Sequence, residues 1–128
     1  MSKTSVRRLV VLVAVIALAA SLSEAADWGW KKSTTPDDVM NFLNGKPPYQ
    51  GAKNVAKITA ANKGSFIEFI VFYQSGGTSG WGWKKSTTPD DAMNFLNGKP
   101  PYKPLKVAEV ASVNTATGTQ FYIFYKPK

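Results

Sequence analysis

The chain has no cysteine and no histidine, and its only arginines, Arg7 and Arg8, lie close to its start. Without cysteine there is no disulfide to staple a small domain, so apolar packing must supply the stability. Without histidine or cysteine the commonest general base, the thiol nucleophile and the usual zinc ligands are missing. No glycine-rich phosphate loop or dinucleotide fingerprint is present, and the acids are too few and wrongly spaced for a calcium loop. The only paired acids, Asp37-Asp38 and Asp90-Asp91, are adjacent in sequence. They point to different sides of a helix and do not face each other across a scissile bond. Ser33, Thr34 and Thr35 have no imidazole beside them, and a Ser-Lys pair with Lys31 or Lys32 is the weakest of the nucleophile arrangements. The reading is a protein that is not an enzyme, with no metal and no cofactor.

Long hydrophobic runs are also scarce. The one that exists, Leu9–Ala20, is 12 residues long, follows Lys3, Arg7 and Arg8, and precedes Ser23-Glu24-Ala25. A basic start, a short apolar stretch and small residues before a cut predict a secretory signal peptide over 1–25. The run is short for a membrane span, and no second run comes close. The protein is therefore expected to be exported, periplasmic or extracellular. What remains carries thirteen lysines against seven acids, a net charge of +6. Such a surface attracts anionic polymers, envelope surfaces or acidic proteins, or serves solubility alone. Lysine without arginine argues against nucleic acid as the partner, because base edges and phosphates are best met by the guanidinium fork.

What the chain does have is an internal copy. Residues 28–49 read WGWKKSTTPDDVMNFLNGKPPY, and residues 81–102 repeat them with a single change, Val39 to Ala92. The following stretches, Val55–Tyr73 and Val107–Tyr125, align with only six identities among 19 positions while keeping their apolar pattern. The organisation read from this is repeat 1 over 26–74, a Gly/Ser linker over 75–80 and repeat 2 over 81–128. A unit of about 50 residues is marginal alone. The two are expected to share one core with pseudo-two-fold symmetry.

Within each repeat Thr35-Pro36-Asp37-Asp38 is a helix start: a capping hydroxyl, a proline at the first helical position and two acids at the positive end of the dipole. Val39, Phe42 and Leu43 form the apolar face, with Met40 at its edge. Asn44-Gly45 ends the helix and Pro47-Pro48 prevents a restart. Two strands follow, Val55–Ala60 and Phe66–Tyr73, joined by Asn62-Lys63-Gly64. Ala56 and Ile58 are expected on one face and Lys57 on the other. Phe69, Val71 and Tyr73 share a face assigned to the core, as do Phe121, Ile123 and Tyr125. The other face, with Ile70 and Phe72 or Tyr122 and Phe124, is too apolar to be simply wet and is expected to meet the sister repeat or a second molecule. The fold class is α+β. It comprises two tandem α-β-β repeats, or β-α-β-β if Trp28-Gly29-Trp30 is a strand, fused into one pseudo-symmetric domain with antiparallel sheet and two short helices.

Packing accounts for the identity of Thr35, Pro36, Phe42, Leu43 and Gly45, but less readily for Lys31, Lys32, Asn41 and Lys46. Recent copying of the segment, or a ligand surface that both copies present, would preserve those as well. If the block is a ligand surface, the candidates are Trp28, Trp30, Lys31, Lys32, Lys46 and Tyr49, with Trp81, Trp83, Lys84, Lys85, Lys99 and Tyr102 as their copies. One indole of each pair is expected to anchor in the core while its neighbour is presented on the opposite face. A presented indole stacks on a sugar or a cation, and the lysines offer charge to carboxylate, sulfate or phosphate. Two such sites would give avidity for a repetitive anionic or carbohydrate polymer of the envelope or exterior. The alternative is a protein-protein module that uses the apolar strand face for a homodimer or a secreted partner. A structural envelope component is the third reading.

Overall fold

The computed structural model describes residues 28–128. The expected signal peptide lies outside the described residues.

The element order is β1 (Trp28–Ser33), α1 (Pro36–Leu43), β2 (Lys53–Asn62), β3 (Ile67–Ser75), β4 (Gly82–Ser86), α2 (Pro89–Leu96), β5 (Leu105–Thr115) and β6 (Gly118–Pro127). The fold is α+β, and each half is a β-α-β-β unit. Each half forms its own antiparallel three-stranded sheet, ordered β1-β3-β2 and β4-β6-β5.

The helices start and stop as their sequence dictates. The Thr35 hydroxyl accepts the Asp38 N–H at 3.1 Å, Pro36 opens the helix, and Asp37 and Asp38 occupy its first turn. Thr88 does the same for Asp91 at 3.1 Å. Gly45 and Gly98 follow the last turn at φ of +67° and +65°, a region that disfavours other residues. A Cβ on Gly45 would also sit 2.3 Å from the Gly51 carbonyl carbon. The Pro47-Pro48 and Pro100-Pro101 peptide bonds are cis.

Val39, Phe42 and Leu43 are buried, and they meet the Phe69 and Val71 face of β3. In β2 a bulge falls between Val55 and Lys57, so Ala56 leaves the face that it was expected to share with Ile58.

The core of the first half is not closed by the first half alone. Trp81, Ala111, Val113, Tyr122 and Phe124 of the second half complete it, with Trp83 at its margin. Phe69 makes edge-to-face contacts with Tyr122 and Phe124, at centroid separations of 5.0 and 5.9 Å. The second half therefore lays the outer face of its sheet over the helix side of the first. Burying each large apolar side chain contributes about 1.5–3 kcal/mol, so this contact is a major part of the stability. The free edge strands also meet: Asn62 Nδ2 donates to the Asn114 carbonyl at 3.2 Å, and Lys57 pairs with Glu109 at 3.7 Å.

The contact is not reciprocal. The helix-side core of the second half, around Ala92, Phe95 and Ile123, is built only from second-half residues. The outer face of the first sheet is left open: Phe72 is 43 % exposed, whereas Phe124, its counterpart, is 0 % exposed. The two-part pseudo-symmetric domain is present, but its halves stack head to tail instead of about the expected two-fold axis. One consequence is visible in the two helix segments, which differ only at Val39 and Ala92. Leu43 is fully buried, while Leu96, its copy, is 37 % exposed.

Candidate functional site

The four tryptophans fall into two environments. Trp28 and Trp30 are 59 % and 63 % exposed, Trp81 is 5 % exposed, and Trp83 is half-buried. The expectation that Trp28 and Trp30 point to opposite faces is overturned. A single intervening residue in a strand returns the side chain to the same face, and both stand outward, opposite Gln74 and Phe72 of β3. The split lies between the repeats, not within each pair. Gly29, on the other face of β1, lies under the Tyr73 ring; a Cβ there would come within 2.8 Å of the ring. Gly82 lies against Tyr125 in the same way, and a Cβ there would come within 3.0 Å of that ring.

Trp81 and Trp83 are held by first-half residues. Asn44, the residue that ends α1, donates its amide to the Trp81 carbonyl at 3.0 Å and accepts the Gly80 and Trp81 N–H groups at 3.0 and 2.8 Å. The Trp81 indole N–H donates to the Lys53 carbonyl at 3.2 Å, and Lys126 stands 5.0 Å over the ring. The Trp83 indole N–H donates to Asp37 Oδ1 at 2.7 Å.

The lysine pairs are divided by the same alternation. Lys32 shares the outer face with Trp28 and Trp30, and pairs with Glu68 at 3.7 Å. Lys31 points to the helix side. Its ammonium lies 3.6 Å from Asp38, 4.7 Å over the Tyr49 ring and 5.5 Å over Phe42. Asp38 accepts hydrogen bonds from Ser33 Oγ and, at 2.6 Å, from the Tyr49 hydroxyl. The second half repeats this cluster: Lys84 is 3.4 Å from Asp91, which accepts from Ser86 Oγ and, at 2.7 Å, from Tyr102. It ties strand, helix start and Pro-Pro turn together.

The cluster also sets protonation. Burial works to raise the Asp38 carboxyl, but hydrogen bonds from Ser33 and Tyr49 and the charge of Lys31 outweigh it and hold it below the usual carboxylate range. Asp91 is lowered by hydrogen bonds from Ser86 and Tyr102, then by Lys84. Burial works to lower the Lys31 and Lys84 ammonium groups, yet their tyrosine and aspartate partners raise both.

The expected aromatic-lysine surface is thus dispersed. Trp28, Trp30 and Lys32 share an open face. Lys31, Tyr49, Lys84 and Tyr102 belong to the polar clusters beside the helices. Trp81 and Trp83 are engaged by the first half, Lys85 is exposed, and Lys46 and Lys99 are exposed just beyond the helix ends. Four residues that sequence reasoning did not place at any site become prominent: Asn44 and Asp37, which receive the second half's tryptophans, and Leu96 and Met93 on the open side of α2; Phe72 stands on the open strand face that was expected to meet a partner. Both leucine and methionine stand exposed there. Asn44 reads as a helix stop and Asp37 as a dipole charge, so only their long-range partners reveal the second role.

A groove of about 440 Å³ runs between the two hairpin turns. Its lining is mostly hydroxyl, amide and apolar, and contains no acid or lysine. Among the described residues no cluster of acids suited to a metal occurs, and no helix is long and apolar enough to cross a membrane.

No family model, curated protein or solved structure matches this chain.

Proposed function

We propose that the protein is an exported, non-enzymatic binding module that takes a protein partner on the outer face of its first sheet. That face presents Trp28, Trp30 and Phe72 together, an exposed aromatic patch of the kind that marks an interaction site. The observation that supports a protein partner is the fate of the equivalent face in the second half. Trp83, Tyr122 and Phe124 are seated on protein, against Phe69 and α1. A surface of this composition thus has a docked counterpart in the same chain. A photo-reactive benzophenone side chain at position 30 tests the reading in the native host. An adduct in which mass spectrometry finds a second polypeptide is expected; an adduct whose added mass only a glycosidase removes would contradict it.

A second reading is favoured by one specific feature. Two neighbouring indoles with Lys32 on the same face also suit a carbohydrate or anionic polymer. In that case retention on insoluble polysaccharide should fall in the Trp28→Ala/Trp30→Ala variant, and an anionic polymer should be released as ionic strength rises. An apolar protein contact should resist salt.

A further inference from the structure

The open face of the first half has a matching open face on the same molecule. In the intact joint, Trp81 and Trp83 of the second half lie against the α1 end of the first half, held by Asn44 and Asp37, with Leu43 sealed beneath. Every one of these side chains has a copy. Trp28 and Trp30 repeat the tryptophans, and Asp90, Leu96 and Asn97 repeat the receiving side. All five copies are exposed.

We propose that the partner on the tryptophan face is a second copy of this chain. The first-half outer face of one molecule seats on the α2 side of the next, repeating between molecules the joint that already exists within one. This rests on the protein-binding reading above and names the partner of that same site. In the repeated joint the Trp30 indole takes Asp90 as Trp83 takes Asp37, Asn97 takes the Trp28 main chain as Asn44 takes that of Trp81, and Leu96 becomes covered as Leu43 is.

The geometry decides the kind of assembly. The internal joint is heterologous, joining two different surfaces, so repeating it leaves one open face of each kind at the ends. Such contacts give rings or open chains, not a closed face-to-face dimer. The repeated joint is also weaker than the internal one. Thr59, Ala61 and Ile70 stand where the second half has Ala111, Val113 and Tyr122, so the first-half face offers less apolar area. No linker holds separate molecules together, whereas residues Gly76–Gly80 connect the halves within one and supply a high effective concentration. The assembly is therefore reversible and depends on concentration.

Sedimentation of the purified protein between about 1 µM and about 1 mM covers the affinities expected of such a contact. The weight-average mass should rise with concentration and pass beyond a dimer. Trp28→Ala/Trp30→Ala removes one face, and Leu96→Asp removes the other; Asn97→Asp is a milder second variant on the latter face. Each should weaken association about tenfold or more, with the circular dichroism of the fold retained. The decisive arm is the mixture. The tryptophan variant keeps an intact α2 face and the leucine variant keeps an intact tryptophan face. Together they should form a dimer and stop. The proposal is overturned if the unaltered protein stays monomeric, or if it stops at a dimer that Leu96→Asp and Asn97→Asp leave unchanged. Should it stay monomeric while the benzophenone at position 30 still captures a protein, only the identity of the partner falls. Loss of both signals removes the protein-binding reading as well.

Discussion

The Trp83 indole N–H donates to the Asp37 carboxylate at 2.7 Å, joining a strand of the second half to the helix start of the first. Asp90 is the copy of Asp37 in a segment that differs only at Ala92, yet the indole that would match it, Trp30, stands in solvent. The same residues thus serve different ends in the two halves, and stability should be correspondingly unequal.

Asp37→Ala and Asp90→Ala both remove a charge from a helix start, which costs each about 0.3–1 kcal/mol. Only Asp37 also receives the indole. Its substitution should therefore cost about 0.5–1.5 kcal/mol more than that of Asp90. Urea unfolding of the two variants at a concentration that keeps the protein monomeric gives the difference directly.

The apolar side of the joint should show a larger inequality. Leu43→Ala empties a sealed position and should cost about 2–5 kcal/mol. Leu96→Ala, in the same local sequence, should cost less than about 1 kcal/mol because water already reaches the side chain. Equal losses would mean that both helices are covered alike.

The polar clusters predict an acid limb. Asp38 and Asp91 are held below the usual carboxylate range in the folded protein. A depressed folded-state value means that the unfolded chain binds protons more readily. The stabilisation is then fully present above the ordinary aspartate value of about 3.9 and is lost as pH falls through the lower folded values. Lowering the pH from 5 towards 2 should reduce the urea midpoint, and Tyr49→Phe/Tyr102→Phe should flatten that dependence while leaving the fold intact. A midpoint with no slope in this window would contradict the assignment.

Much of the architecture was legible because it is local. Thr35, Pro36 and Asp38 announce the helix, Asn44 and Gly45 close it, and the alternation of Phe69, Val71 and Tyr73 names the core face. The joint between the halves was not legible, and the reason is physical. Two segments that differ only at Val39 and Ala92 cannot state which is covered and which is bare. The distinction is carried by dispersed strand positions such as Ile70 and Tyr122, where no periodicity changes. The exposed indole pair needed only the period of two to be placed on one face. Lys31 reads as a ligand group in sequence, because its partners Asp38 and Tyr49 converge only once the helix and the Pro-Pro turn fold back on β1.

The second half is docked on the first without reciprocity. Acrylamide quenching of four single-tryptophan variants, each keeping one indole and carrying phenylalanine at the other three positions, tests it most directly at low protein concentration. Trp28 and Trp30 should be quenched readily, and Trp81 should be well shielded, as their exposures of 59, 63 and 5 % require. Equal quenching of Trp28 and Trp81 would contradict the account.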